Sequence, residues 1–410
     1  MSKTRRDSKG RAFRKGEGCR KDGLYRYTYT EPSGKRRSIY AKDLPELREK
    51  EKQLQRDSLD GLDIYLRSQA DINFTFDRYI STKRNLRVTT ATTYRYTYDR
   101  YVRNGFGKRK IAEVRYSEVL LFYQSILRSG LSLSTLDNIH TVLYPTFQMA
   151  VRDMIIRANP AEGAMAEVKK SSKKESGIRH ALTYEQEEAF LNYIENNPDE
   201  LRWVPLFNVM FGTGCRVGEI IGLCWSDLDF ENNSISIRRS LSYCARYDRG
   251  RRSEYVVSEP KTESGIRTIP MLKKVREALL TEKKNQMAFG YRCYQKIGEV
   301  SGFVFCNRYG KVLNLSGINK VIHRIVDDYN DKEIVAAKKE HRDPLIIPQF
   351  SCHVTRHTFC SRLCENETNI KVIQDVMGHK DIQTTLGIYA EVSEKKKQES
   401  FLQLNDKKVL

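Results

Sequence analysis

Residues 211–225 read FGTGCRVGEIIGLCW, and this stretch decides the fold of the C-terminal half. Its two early glycines predict the end of one helix, and Arg216 begins a second helix that buries Ile220 and Leu223. Glu219 follows one turn after Arg216, where its carboxylate can hold the guanidinium in a fixed orientation. Such a pair is common on protein surfaces, so the motif does not identify a site by itself.

Two further segments place ionisable side chains at a turn or a helix start. Residues 255–270 have the pattern of a β-hairpin, with Lys261 at its turn. Residues 351–359 read SCHVTRHTF. His353 and Arg356 lie three residues apart there, at the N-terminus of a predicted helix, where an anion is favoured. Each feature is ordinary when taken alone.

A fourth segment runs from Val376 to Ala390. Gly378 predicts a helix C-cap that exposes His379, and a short segment then ends in Tyr389. Together the four segments meet the needs of phosphodiester transesterification without metal. These are a nucleophile, two planar clamps for the phosphate, further donors, and an acid for the departing 5′ oxygen. Tyrosine suits the nucleophile role because nearby cations lower the cost of forming its phenolate.

The charge of the chain indicates its partner. The 410 residues include 72 Lys and Arg against 52 Asp and Glu, a net charge of +20 that favours an anionic polymer. No apolar run approaches the ~18–20 residues that cross a bilayer, and no secretory signal is evident. We therefore expect nucleic acid and not a membrane as partner. Residues 1–40 hold 13 Lys and Arg against 4 Asp and Glu, which predicts a contact surface.

The nine cysteines are scattered without a CxxC pair, which indicates reduced thiols in the cytoplasm. His357, Cys360 and Cys364 share one face of a predicted helix and could suggest a metal. Three such residues without a fourth usually reflect helix packing, so we predict neither a metal nor another cofactor.

Residues 1–65 predict a small three-stranded sheet followed by a helix. The strands are expected at Arg11–Lys15, Leu24–Thr30 and Lys35–Tyr40, and Asp43 is expected to cap a helix through Leu44–Gln55. Alternation along the second strand places its tyrosines on a face that the helix covers. Its other face, with Arg26 and Thr28, is then free to meet phosphate.

The rest of the chain predicts two larger domains. Residues 71–165 carry apolar side chains at three- and four-residue steps, which is typical of packed helices. The small, basic residues 166–178 have the composition of a flexible tether. Thr183 opens a new helix with a capping box, and the remainder up to residue 392 mixes helices with short strands. The fold class is therefore multidomain α+β.

The ordered set formed by Arg216, Lys261, His353, Arg356, His379 and Tyr389 resembles the catalytic signature of the tyrosine recombinase (lambda-integrase-like) family. The resemblance covers the whole catalytic half, residues 179–392, and implies a mainly helical domain with a small β-sheet. It implies a site-specific recombinase that cleaves and rejoins DNA through a 3′-phosphotyrosine.

The resemblance also implies a role for each residue. Tyr389 is expected to be the nucleophile, and Arg216 and Arg356 the phosphate clamps. Lys261 is the expected general acid, and His379 donates in the transition state. His353 would donate to the phosphate or assist proton transfer from Tyr389. Glu219 is expected to be a supporting carboxylate, and no metal or ATP is required.

The front of the chain resembles the arm-binding domain of integrases from Gram-positive conjugative transposons, through residues 23–27, GLYRY, and the helix behind them. This implies a sheet laid into the major groove of arm-type DNA, while residues 71–165 resemble the core-binding domain. The cationic and polar residues expected to contact DNA are Arg26, Thr28, Lys35, Arg36, Arg37, Lys169, Lys170, Lys173 and Lys174. The implied function is integration and excision of a mobile element, with a small excisionase as partner.

The C-terminal residues 393–410 contain Phe401, Leu402 and Leu404, too little apolar surface to fold alone. We expect this tail to dock on a neighbouring subunit within a homotetramer on DNA, with docking in cis or disorder as the alternatives. Two other functions compete with recombination. A type IB topoisomerase uses similar chemistry, and a DNA-binding regulator could carry an inactive site.

Overall fold

The computed structural model describes residues 5–30, 34–171, 180–246, 252–259, 265–367, 369–390 and 392. The chain forms two compact units, Met1–Ser176 and Gly177–Leu410. Within the part of the chain that the structure describes, every helix is too short or too polar to pass through a bilayer.

The first unit begins with a three-stranded antiparallel sheet of β1 (Glu17–Cys19), β2 (Tyr25–Thr30) and β3 (Arg36–Ala41). Helix α1 (Leu44–Leu59) follows, and the carboxylate of Asp43 accepts from Glu46 N at 2.9 Å, as the predicted N-cap requires. The first strand was predicted at residues 11–15, which is wrong. Residues 14–17 form a turn there, with Gly16 at φ +89°, and Ala12 makes only an isolated bridge to Arg6, so the strand that pairs with β2 begins at Glu17.

The two faces of this sheet differ as the alternation predicts. Tyr25 is buried beneath α1, whereas Arg26 is exposed. Directly paired residues share a face, and Arg26 pairs with Tyr40, whereas Tyr29 pairs with Arg37. Arg37 therefore lies on the same face as the tyrosines, at the end of the strand, and not beside Arg26.

Within the described residues of the first unit, six further α-helices surround a core that includes Phe76, Tyr98 and Phe147. They are α2 (Ile64–Gln69), α3 (Ile72–Thr82), α4 (Val88–Tyr101), α5 (Tyr116–Arg128), α6 (Leu133–Arg152) and α7 (Ala164–Ser171). The expectation of a flexible tether from residue 166 is wrong for residues 166–171. They continue α7, because Met165 and Val168 are buried against the helical core and Lys169 pairs with Asp137 at 2.9 Å.

Ion pairs join the end of α1 to the loop that follows α6. Arg157 donates to Asp57 at 2.9 Å and also contacts Asp60, and Arg67 lies 3.2 Å from the buried Asp57. We call Asp57, Asp60, Arg67 and Arg157 the α1 ion-pair cluster. It ties the sheet-bearing segment to the helical core.

The second unit contains eight helices and two small sheets within its described residues. The helices are α8 (Tyr184–Glu195), α9 (Val204–Thr213), α10 (Val217–Ile221), α11 (Lys273–Phe289), α12 (Leu315–Glu340), α13 (Cys352–Asn366), α14 (Ile370–Met377) and α15 (382–390). The strands are β4 (Leu228–Asp229), β5 (Ser234–Ile237), β6 (Ser240–Arg246), β7 (Arg252–Ser258) and β8 (Arg267–Pro270). The predicted capping box at Thr183 is present.

The predicted hairpin across residues 255–270 is wrong. Strand β7 pairs with β6 over seven residues, whereas β8 pairs with β5 in a separate sheet of order β4-β5-β8. The pairing follows burial, because Ile269 lies opposite Ile235 and both are in the core. Lys261 falls in the connection between the two sheets, within residues 260–264, outside the described residues.

Candidate active site

Arg216 lies at the N-cap of α10, immediately after the turn that ends α9. Gly214 forms that turn at φ +58°, and a Cβ at this position would meet the Phe359 ring at 2.3 Å, so a side chain is excluded. Arg216 Nη1 donates to Glu219 Oε1 at 2.9 Å, and its backbone N–H donates to Oε2 at 3.0 Å. The predicted pair is therefore confirmed, and the arginine side chain remains 42% exposed.

Arg356 projects inward from the second turn of α13 and is buried. Its Nη1 donates to Gly214 O at 2.8 Å. Burial, reinforced by the positive charge of Arg216, lowers the pKa of Arg356 to about 10, so the guanidinium is still charged at neutral pH. His353 lies one turn earlier and is exposed.

The end of α14 joins these arginines. Arg267, Arg356 and Arg216 donate, in that order, to the three successive carbonyls of Val376–Gly378, at 2.8, 2.6 and 3.0 Å. The last carbonyls of a helix carry partial negative charge and have no partner within the helix, so cations are favoured there. Three guanidiniums from β8, α13 and α10 thus meet at one helix end.

Arg267 is a member of this group that the sequence reasoning missed. Its Nη2 donates to Glu219 Oε2 at 3.0 Å, so one carboxylate serves two arginines. Burial alone would raise the pKa of Glu219, but Arg267 and then Arg216 hold it below its usual value. The available signal was the alternation along β8, which places Arg267 on the same face as the buried Ile269.

His379 follows the helix cap that Gly378 forms at φ +61°. The cap was predicted correctly, but the expected exposure of His379 is wrong, since the residue is 7% exposed. The reversed chain direction after the cap turns it inward, where its Nδ1 lies 2.9 Å from Thr385 Oγ1. Burial, followed by the charges of Arg356 and Arg216, lowers the pKa of His379 to about 4.

Tyr389 lies on α15, which the sequence suggested only as a short segment. Its ring is partly buried and packs, with Ile388, against an apolar cluster that includes Cys360 and Cys364 of α13. Helix α15 also carries Thr385, the partner of His379. The tyrosine helix is therefore attached both to α13 and to the histidine.

Cys360 and Cys364 of α13 lie in that apolar cluster, as helix packing requires. His357 Nδ1 instead lies near Ser361 Oγ, at 3.5 Å. Among the described residues, no three potential metal ligands come together.

A groove of about 700 Å³ opens beside Arg216 and His353. Lys320 and His323 of α12 also line it and are exposed. The groove is thus lined by the cations Arg216 and Lys320, and its size suits an extended anion.

Comparison with known proteins identifies two regions. The phage integrase family matches residues 180–396, and the DNA-binding domain of Tn916 integrase matches residues 1–58. The transposase from transposon Tn916 of Enterococcus faecalis is 29% identical over 406 residues, covering 95% of this chain and 94% of the relative. The transposase from transposon Tn1545 of Streptococcus pneumoniae has the same identity and coverage.

A solved structure agrees with these relatives. The Tn1549 transposon integrase in complex with transposon right end DNA has a TM-score of 0.68 and 26% identity, covering 80% of this chain and 99% of that one. Because the family match spans residues 180–396 of 410, more than half of the chain, the assignment follows directly. The chain belongs to the phage integrase family and is a tyrosine recombinase, an integrase that cleaves and rejoins DNA in the integration and excision of a mobile element.

Proposed function

We propose that Tyr389 is the nucleophile of strand cleavage. Its phenolic oxygen attacks the scissile phosphorus as the phenolic proton passes to His353, the bond from phosphorus to the 5′ oxygen breaks, and the strand remains attached through a 3′-phosphotyrosine. Lys261 supplies the proton for the departing 5′ oxygen. A 5′ hydroxyl of the partner strand then reverses the reaction, so the energy of the broken bond is retained and no cofactor is consumed.

This proposal is supported mainly by the arginines that bind together at the end of α14. Arg216 and Arg356 each keep N–H groups beyond those used in the protein, and these clamp the nonbridging phosphate oxygens as charge develops. His379 is neutral at neutral pH because of its depressed pKa. It donates to the phosphate through Nε2 while the Thr385 hydroxyl donates to Nδ1. His353, on the exposed side, accepts the proton of Tyr389 and can then donate to the phosphate, and Glu219 supports Arg216.

Double-stranded DNA is held by the other regions of the chain. Residues 1–65 bind arm-type sites through Arg26, Thr28, Lys35, Arg36 and Arg37. Residues 71–165 bind core sites together with the catalytic domain, residues 179–392. DNA binding is assisted by four lysines between the core-binding and catalytic regions, Lys169, Lys170, Lys173 and Lys174. The last two lie outside the described residues.

Assembly and location follow from the reaction. Exchange between two duplexes requires four cleavages, so the active complex is a homotetramer, with residues 393–410 docked on a neighbouring subunit. This tail also lies outside the described residues. A small excisionase directs the reaction toward excision, and the enzyme works in the cytoplasm on nucleoid DNA.

The decisive experiment uses a duplex of the element end that is nicked near the cleavage site, so that the released fragment diffuses away and the adduct accumulates. Wild-type protein should form an adduct that resists denaturation, whereas Tyr389→Phe should bind the duplex equally and form none. An adduct with the phenylalanine variant would disprove the assignment of Tyr389.

A second assay separates recombination from topoisomerase activity. The wild-type enzyme should recombine two plasmid-borne attachment sites, and it should leave a supercoiled plasmid without such sites unchanged. Relaxation of any plasmid would favour the topoisomerase function instead.

A further inference from the structure

Arg267 lies behind the two arginines that we propose as phosphate clamps. Its side chain is 7% exposed, whereas that of Arg216 is 42% exposed. Its Nη2 donates to Glu219 at 3.0 Å, its Nη1 to Gly265 O at 3.3 Å and its Nε to Val376 O at 2.8 Å. All three guanidinium nitrogens thus bind protein atoms, which leaves the group turned away from solvent.

The Glu219 carboxylate indicates what Arg267 does. Oε1 accepts from Arg216 Nη1 at 2.9 Å, and Oε2 accepts from Arg267 Nη2 at 3.0 Å. Each arginine side chain therefore binds one of the two carboxylate oxygens. Without Arg267, Oε2 would keep only the Arg216 backbone N–H and could accept a second bond, from the Arg216 side chain. A two-pronged pair would then turn that guanidinium toward Glu219 and away from the groove.

Arg267 also binds the end of α14, through its Nε atom. Its bond to Val376 O is the first of the three arginine–carbonyl bonds, and His379 follows three residues later. Loss of this bond would leave a carbonyl at the helix end without its cation and would loosen the cap that directs His379 inward.

We propose that Arg267 is a positioning residue for strand cleavage, an inference that rests on the function proposed for Arg216 and His379. It holds Glu219 and the end of α14 so that Arg216 presents its remaining N–H groups to the scissile phosphate and His379 stays beside Arg356. It does not touch the DNA.

Electrostatics supports the same role. Burial works to raise the pKa of Glu219, and Arg267 is the largest influence that lowers it. Removal of Arg267 therefore raises the pKa of Glu219. The carboxylate then becomes protonated at a higher pH, and Arg216 loses its ionised partner first on the acid side of the pH profile.

The test compares Arg267→Met and Arg267→Lys in single-turnover cleavage of the nicked element-end duplex. Arg324→Met serves as the matched control. Arg324 lies on α12 and also pairs with a buried carboxylate, that of Glu200. We expect Arg267→Met to cleave about 10–100-fold more slowly, as observed for residues that orient catalytic groups in metal sites. Arg267→Lys should be intermediate, with DNA affinity unchanged, and the control should cleave normally.

Two further measurements separate positioning from a general structural role. The acid limb of the cleavage profile should move to higher pH in Arg267→Met, and the same substitution should add little to Glu219→Gln. The inference would be overturned if Arg267→Met lowered the cleavage rate equally at every pH, or if its effect added fully to that of Glu219→Gln. It would also be overturned if Arg267→Met cleaved at the wild-type rate while Tyr389→Phe is inactive. If Tyr389→Phe forms the adduct, the proposed function itself fails.

Discussion

The Nδ1 atom of His379 lies 2.9 Å from the hydroxyl of Thr385, on the helix that carries Tyr389. This bond joins the proposed phosphate donor to the helix of the proposed nucleophile. A Thr hydroxyl that donates to Nδ1 leaves the proton on Nε2, the form of imidazole that can donate to phosphate.

Thr385→Val keeps the shape of the side chain but removes that hydroxyl. The bond is worth about 1 kcal/mol, so we expect single-turnover cleavage to slow about 5–10-fold while duplex binding is preserved. Thr384→Val is the matched control, since Thr384 is the adjacent, exposed threonine. Equal rates for the two variants would exclude Thr385 from the orientation of His379.

The pKa of His379 also makes stability depend on pH. The folded pKa is about 4, against 6.5 for an unperturbed histidine, so between these values the unfolded chain binds more protons. The stability supplied by the neutral, buried imidazole is therefore full above about pH 6.5 and falls as the pH drops toward 4.

Urea unfolding can measure this loss in the second unit alone, because the two tryptophans of the chain, Trp203 and Trp225, both lie there. Between pH 7 and pH 5, the wild-type unit should lose about 1–2 kcal/mol more than His379→Gln. An identical pH dependence in the two proteins would show that His379 is not the titrating group.

Arg216→Lys tests the planar clamp. An ammonium keeps the charge but cannot bind Glu219, Gly378 O and two phosphate oxygens together, so we expect cleavage to slow by about 10²–10³ with binding nearly intact. Arg324→Lys provides a control at an arginine outside the site. A lysine variant that cleaves at the normal rate would remove Arg216 from the clamp.

The α1 ion-pair cluster predicts a mechanical connection between the proposed arm and core regions. Arg157→Met removes the contacts to Asp57 and Asp60, and Asp57 then keeps only Arg67 among its cationic partners in the described contacts. We expect faster amide hydrogen exchange at the end of α1 and faster proteolysis between α1 and α3. Arg152→Met, at an exposed position before the same loop, should change neither.

Local chemistry explains what the sequence could predict. Glycine caps and side-chain caps depend on adjacent residues, so the positions of Arg216, Arg356, Gly378 and the Asp43 cap were all predicted correctly. The order of elements and the sheet with one aromatic face followed from periodicity. Family resemblance then connected segments that lie far apart in the chain.

Two failures are local, the strand predicted at residues 11–15 and the tether predicted for residues 166–171, and the others concern contacts between distant elements. Strand pairing of β7 with β6 and of β8 with β5 depends on which apolar faces fill the core, and Ile235 and Ile269 determine it only once both sheets exist. The burial of His379 depends on arginines from three elements. Arg267 was missed for the same reason, since its carboxylate and its carbonyl come from α10 and α14.

The three atoms that accept hydrogen bonds from the arginines at the end of α14 are main-chain oxygens, and this affects how the enzyme can evolve. A carboxylate partner can be lost by one codon change, whereas substitution of Val376 or Met377 leaves its carbonyl in place. Met377 is restrained by packing, since it is 1% exposed, whereas Val376 is only partly buried. Apolar substitutions at these positions should therefore accumulate among descendants without removing an arginine–carbonyl bond. The three arginines then keep their partners while the sequence of α14 changes.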